Sequence, residues 1–355
     1  MSELPPVQAN RNGPWLVLGL VTVGLVLLVL GLAWWAGIGR SEEAGPVVAR
    51  HFDRAAAQRE AQALGSQLTT AIGGGQASRM LPQLEQLVRR YPGFADAHTL
   101  LAQAYIASGR PRSAYEELEK SLQLNPLQAE LHELAGTIAV KLNRLDEAEK
   151  HYRAAVGQES RKAKPRLLLA QVLIQENKLD EAEKVILQAL VLDSNSHTGY
   201  ALLADVFARQ DKLPLALQEI DKAIAHEPAN NREVVIQYAR TKSQLLRRAN
   251  RPQEALQVLA TLPARERLDM SIMDDMATCY AMMGEPGRAA AMFEQYLILD
   301  PTDDRAAARS VHWYLQAHDA ANAQRMLQRL RQINPRAVEL PDLEAQVKQA
   351  AGGKG

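Results

Sequence analysis

One small residue returns at a fixed interval through most of this chain: Ala114, Ala148, Ala182, Ala216, Ala255, Ala289 and Ala323 step by 34, 34, 34, 39, 34 and 34 residues. A helix or strand face repeats within a few residues, so a period of this length marks a whole supersecondary unit copied along the chain. The ruler cuts units at 95–128, 129–162, 163–196, 197–230, 236–269, 270–303 and 304–337. Extended backward, it adds a degenerate unit, 61–94, with Leu68, Leu84 and Leu87 in apolar places, Pro92 at the close and Met80 where the others have alanine.

Other places obey the same ruler. The eighth is small at Ala102, Gly136, Ala170, Ala204, Ser243 and Ala277, and the eleventh is large at Tyr105, Leu173, Phe207, Leu246, Tyr280 and Tyr314. The twenty-fourth is Leu118, Tyr152, Ile186, Ile220, Leu259, Phe293 and Leu327, and Pro126, Pro228, Pro301 and Pro335 close four units. This pattern resembles the tetratricopeptide repeat family, which implies helix-turn-helix units stacked into an all-α solenoid. Packing leads to the same expectation. Small residues let two antiparallel helices approach, bulky ones fill the groove toward the next unit, and no hairpin of this size buries its apolar face alone.

Turns are expected at Gly109-Arg110-Pro111, Asn143 to Asp146, Asn177 to Asp180, Asn250-Arg251-Pro252 and Gly284-Glu285-Pro286. Asp146 and Asp180 are expected to cap the helices that follow. The five extra residues Asn231 to Val235 fit a helix lengthened at its start, and the next unit diverges, with Lys242 in an apolar place and Arg267 in place of the closing proline. Residues 338–355 are expected to form a capping helix over Asp342 to Ala351 and a frayed tail.

Ahead of the repeats stand a tail, 1–14, an apolar stretch, 15–39, and a polar hinge and helix, 40–60. Trp15 to Gly39 carries no charge. As a helix it would reach about 37 Å, enough to span a bilayer, with Trp15, Trp34 and Trp35 at the aromatic belts. An uncleaved single-pass anchor is expected, holding the repeats close to a membrane, with the bacterial cytoplasmic membrane as the expected site. Basic residues are nearly balanced across it, which leaves the side carrying the repeats open.

The 41 Lys+Arg and 41 Asp+Glu leave no net charge, so no nucleic-acid partner is expected. Cys279 is the single cysteine and reads as a small core residue. There is no phosphate loop, nucleophile elbow or zinc motif, and two histidines, His98 and His132, fall short of a metal ligand set. No enzymatic activity, cofactor or metal is expected.

The resemblance implies binding on a concave side lined by the first helix of each unit, at places two, five, nine, twelve and thirteen. Early units present Asp96, Thr99, Gln103, Glu130, Glu133 and Thr137 there; later ones present Arg240, Gln244, Arg247, Arg248, Arg305 and His312, interrupted by Asp274. That gradient predicts an oriented protein or peptide ligand, acidic where it meets the arginines, with Arg240 and Arg247 on one helix face. The lysine-and-asparagine clamp that many family members use for chaperone tails is absent, since Thr99, Gln103, Glu133 and Thr137 occupy its places. The expected function is a membrane-anchored scaffold or adaptor in assembly or quality control of an envelope complex. The alternatives are a structural subunit packed permanently against a partner or itself, and a regulatory module of a separate enzyme.

Overall fold

The computed structural model describes residues 53–227 and 231–352, and the repeat array occupies the compact unit Glu60–Gly355. The anchor expected at 15–39 lies outside the described residues, as does the closing Pro228. Among the described residues no helix is long and apolar enough to cross a membrane.

The described residues contain eighteen α-helices, and helix pairs recur on the 34-residue ruler. α1 (Arg54–Gly73) is followed by a single 3-10 turn at Ala77–Met80 and α2 (Leu81–Arg90). Then come α3 (Ala95–Ala107) and α4 (Pro111–Leu124), α5 (Ala129–Lys141) and α6 (Leu145–Gln158), and α7 (Ala163–Gln175) and α8 (Leu179–Leu192). After these stand α9 (His197–Arg209) and α10 (Leu213–His226). The divergent unit holds α11 (Arg232–Arg248), α12 (Pro252–Ala260) and the one-turn α13 (Ala264–Arg267). The last repeats are α14 (Met270–Met282) with α15 (Pro286–Leu299), and α16 (Asp304–Gln316) with α17 (Ala320–Ile333); α18 (Leu340–Gly352) follows.

The ruler is physical. All seven periodic alanines, from Ala114 to Ala323, are fully buried, and every twenty-fourth-place side chain from Leu118 to Leu327 is buried against them. Gly136 shows why the eighth place is small: a Cβ there would stand 2.7 Å from the Tyr152 ring.

Each turn is a left-handed cap in register. Gly75, Gly109, Asn143, Asn177, Asp211, Asn250, Gly284 and His318 all have positive φ, spaced by the same 34 residues and one step of 39. The amide after each reaches back to the carbonyl five residues earlier, as Gln76 to Ala71 at 2.7 Å and Arg110 to Tyr105 at 2.9 Å, which closes the helix end. Gly75 thus places the degenerate first unit on the ruler. The Asp211 and His318 turns were not expected, because neither carries the Gly or Asn-led turn signal.

Helix capping differs from expectation. The residues preceding α6 and α8 are Arg144 and Lys178, with no side-chain cap bond; Asp146 and Asp180 sit inside the first turn, where they complement the helix dipole. Side-chain caps open four first helices, at Ser196, Asn231, Asp269 and Asp303, and one second helix, α17, at Asp319.

The longer helix expected after Asn231 is α11, 17 residues against 13 in the first helices of its neighbours. Its partner α12 has only nine, because Pro263 lacks the N–H that would continue the ladder to Leu259. The apolar core thins here. One cluster runs from Ala102 to Ala255 and takes in Cys279, another from Met273 to Val347, and a small group of Ala239, Leu259, Leu262 and Ile272 lies between them. Leu340, Leu343 and Val347 bury the face of α18, which covers the end of the array.

Candidate functional site

Several consecutive first helices touch, α5 with α7, α7 with α9 and α11 with α14, and ion pairs cross between some of them. Glu133 on α5 meets Lys164 on α7 at 2.6 Å. Asp275 on α14 receives both Arg240 and Arg247 of α11, each at 2.8 Å. Arg309 on α16 reaches back to Asp274 at 3.0 Å. At these three junctions the first-helix face is stitched by charges that meet a partner on the adjacent repeat.

That geometry sorts the six residues singled out in the sequence. Arg240 and Arg247, two turns apart, do converge, and Asp275 lies between them. Arg247 has only 16% of its side chain exposed, so it is a packed member of the seam. Arg248, one residue on and about 100° around the helix, leaves that pair and donates to the Ala208 carbonyl at 2.8 Å, with Asp211 beyond it. Gln244 is exposed on α11. Arg305 is 73% exposed, with Asp303 at 3.7 Å. His312 is exposed, with Gln316 at 3.1 Å.

Arg305, Arg309 and His312 follow at steps of four and three, so they share one face of α16. Beside them lies a cleft of about 450 Å³ between α14, α16 and α18. Thr278, His312 and Trp313 line it, with Asp274 and Arg309 paired on one wall and Asp342 and Leu343 on the other. Arg309, Trp313 and the α18 wall are not among the residues the sequence singles out, because α18 reads there as a cap. Trp313 was legible as a large aromatic beside His312 on the first helix of the last unit.

The histidines form a second polar system, inside the early repeats. His98 on α3 is buried, with Nδ1 2.6 Å from the Glu117 carboxylate and Nε2 3.1 Å from the Pro92 carbonyl. Both neighbours are acceptors, so the ring satisfies them only when it carries two protons. The Glu117 hydrogen bond accordingly raises the His98 pKa. One repeat on, His132 and His151 occupy the same two places, their Nδ1 atoms 3.1 Å apart. Burial pushes His151 down. Among the described residues no group of three or more His, Cys, Asp or Glu side chains stands ready to hold a metal ion. Burial also pushes the Cys279 thiol up.

The tetratricopeptide repeat family model matches residues 72–138 and 139–206. No curated protein matches the chain. A tetratricopeptide repeat protein from Parabacteroides merdae has the same fold at TM-score 0.51 and 16% identity, over 72% of this chain and 98% of that one. Fainter likenesses are to YrrB, described as having an unusual peptide-binding site (20% identity, 57% and 97% covered, TM-score 0.41), and to Pseudomonas aeruginosa PilF (15%, 82% and 99%, 0.42). With seven full repeats in register, a degenerate one before them and the family model across the first half of the array, the chain belongs to the tetratricopeptide repeat family.

Proposed function

We propose that this chain is a non-enzymatic scaffold that holds a segment of another protein along its first-helix face, tethered to a membrane through residues 15–39 and serving assembly or quality control of an envelope complex. The observation that carries the reading is the cleft between α14, α16 and α18, where the Trp313 indole and Leu343 lie among Arg309, His312 and the carboxylates of Asp274, Glu339 and Asp342, with Arg305 one turn away on α16. Such a mixture suits a peptide that anchors one apolar side chain and orients itself by charge. An acidic ligand must compete with Asp275 for Arg240 and Arg247, and with Asp274 and Glu339 for Arg309. Arg305, the most exposed of these arginines, is where its carboxylates would be received.

The test is affinity purification of the full chain in mild detergent, wild type against an Arg305→Glu/His312→Glu double variant. Both residues are exposed, so melting should not change. Loss of at least one partner from the variant, and weakening of the same association as salt rises, is expected. An unchanged partner set from a folded variant would refute the site. The tether has its own test: the full chain should stay with membranes through alkaline carbonate washing, and release would refute it.

A further inference from the structure

The second-helix face is regular except where the fifth full repeat ends. The second helices of the other full repeats run 14 residues, whereas α12 stops after nine and the chain turns at Pro263 into α13. The part of α15 that would have packed on the missing helix end faces a cleft of about 380 Å³. Its lining includes Met276, Met292, Tyr296, Leu299 and Leu268. Leu299 is 67% exposed and Leu268 41%, so the apolar lining reaches the surface. Arg267 is the single charged residue in the lining, and its Nε is buried without a hydrogen-bond acceptor among the described residues.

We propose that this cleft is a second docking site, which receives a partner-protein segment carrying a bulky apolar side chain beside a carboxylate. Methionine side chains are flexible and polarizable, so this lining adapts to an inserted apolar group. The guanidinium at its edge offers the fork that a carboxylate takes up. The site shares no residue with the first-helix cleft, and α14 serves both: Asp274 and Thr278 face one, Met273 and Met276 the other. A chain that binds on both faces can bridge two partners.

The experiment uses the full chain in detergent with isotope-labelled methionine methyls, titrated with a blocked helical peptide bearing a leucine stripe flanked by glutamates. Saturable shifts of the Met276 and Met292 methyls are expected, with buried Met326 unmoved as the control for the fold. Affinity should fall about tenfold when the glutamates become glutamine, and by a similar factor in Arg267→Gln, for the loss of one charge-assisted bond. Leu299→Asp should abolish the shifts. Silent Met276 and Met292 methyls would overturn the proposal, as would shifts indifferent to peptide charge and to Arg267. Shifts that grow with protein concentration alone would replace the partner by a second copy. Shifts caused by phospholipid vesicles and not by peptide would replace it by a lipid surface.

Discussion

His98 shows how much a single side chain can carry that its position in a repeat does not announce. In the sequence it is a histidine at the fourth place of its unit, short of a metal ligand set; the structure adds Glu117 and Pro92 as partners, both acceptors that favour the protonated ring. Its folded pKa lies above its ordinary value of 6.5, held there first by the Glu117 hydrogen bond and opposed by burial and by Lys120. The folded state therefore binds the proton more tightly than the unfolded chain does. The stability this supplies is fully present below pH 6.5 and is lost as pH rises through the folded pKa. We predict an NMR titration midpoint for His98 above 6.5, and a stability gap between wild type and His98→Gln that narrows as pH rises through that midpoint. A midpoint at or below 6.5 would show that the carboxylate does not govern the ring.

At the scale of the helix, the contrast between Arg247 and Arg248 is instructive, because sequence puts them side by side and the structure sends them to different repeats. Arg247 and Arg240 clamp the mostly buried Asp275 across the place where the apolar core thins, so this triad holds α11 to α14. Arg247→Glu sets two carboxylates together in that seam and should lower stability by about 3 kcal/mol, in the range for breaking a buried pair. Arg248→Glu, at a half-exposed surface pair, should cost under about 1 kcal/mol. Equal melting temperatures for the two variants would contradict the triad. The helix pairs, their register and the longer α11 were legible because small and bulky side chains mark each seam in the chain itself. The charge partners were not: Arg240 and Asp275 are 35 residues apart, and only the stacking angle of neighbouring helices decides which charges meet. Nor was the break in α12, since Pro263 stands four places before the expected close of its unit and reads as a loop residue until the helix stops short of it.

For the whole molecule, neutrality and periodicity argue together. A chain with 41 positive and 41 negative side chains exerts little long-range pull, so its selectivity must come from local arrangement along the repeats. The ruler supplies that arrangement by setting equivalent first helices side by side, and the end of the array concentrates it, where α18 adds a third wall to the cleft at His312. The central claim is that a protein ligand docks there. A photo-crosslinking side chain placed at His312 of the full chain in its native cells tests this most directly, with the same probe at exposed Lys184 on α8 for comparison. The account predicts a discrete protein adduct at His312 that diminishes in Arg305→Glu, and none at Lys184. No adduct at His312, or the same adduct at both positions, would contradict it.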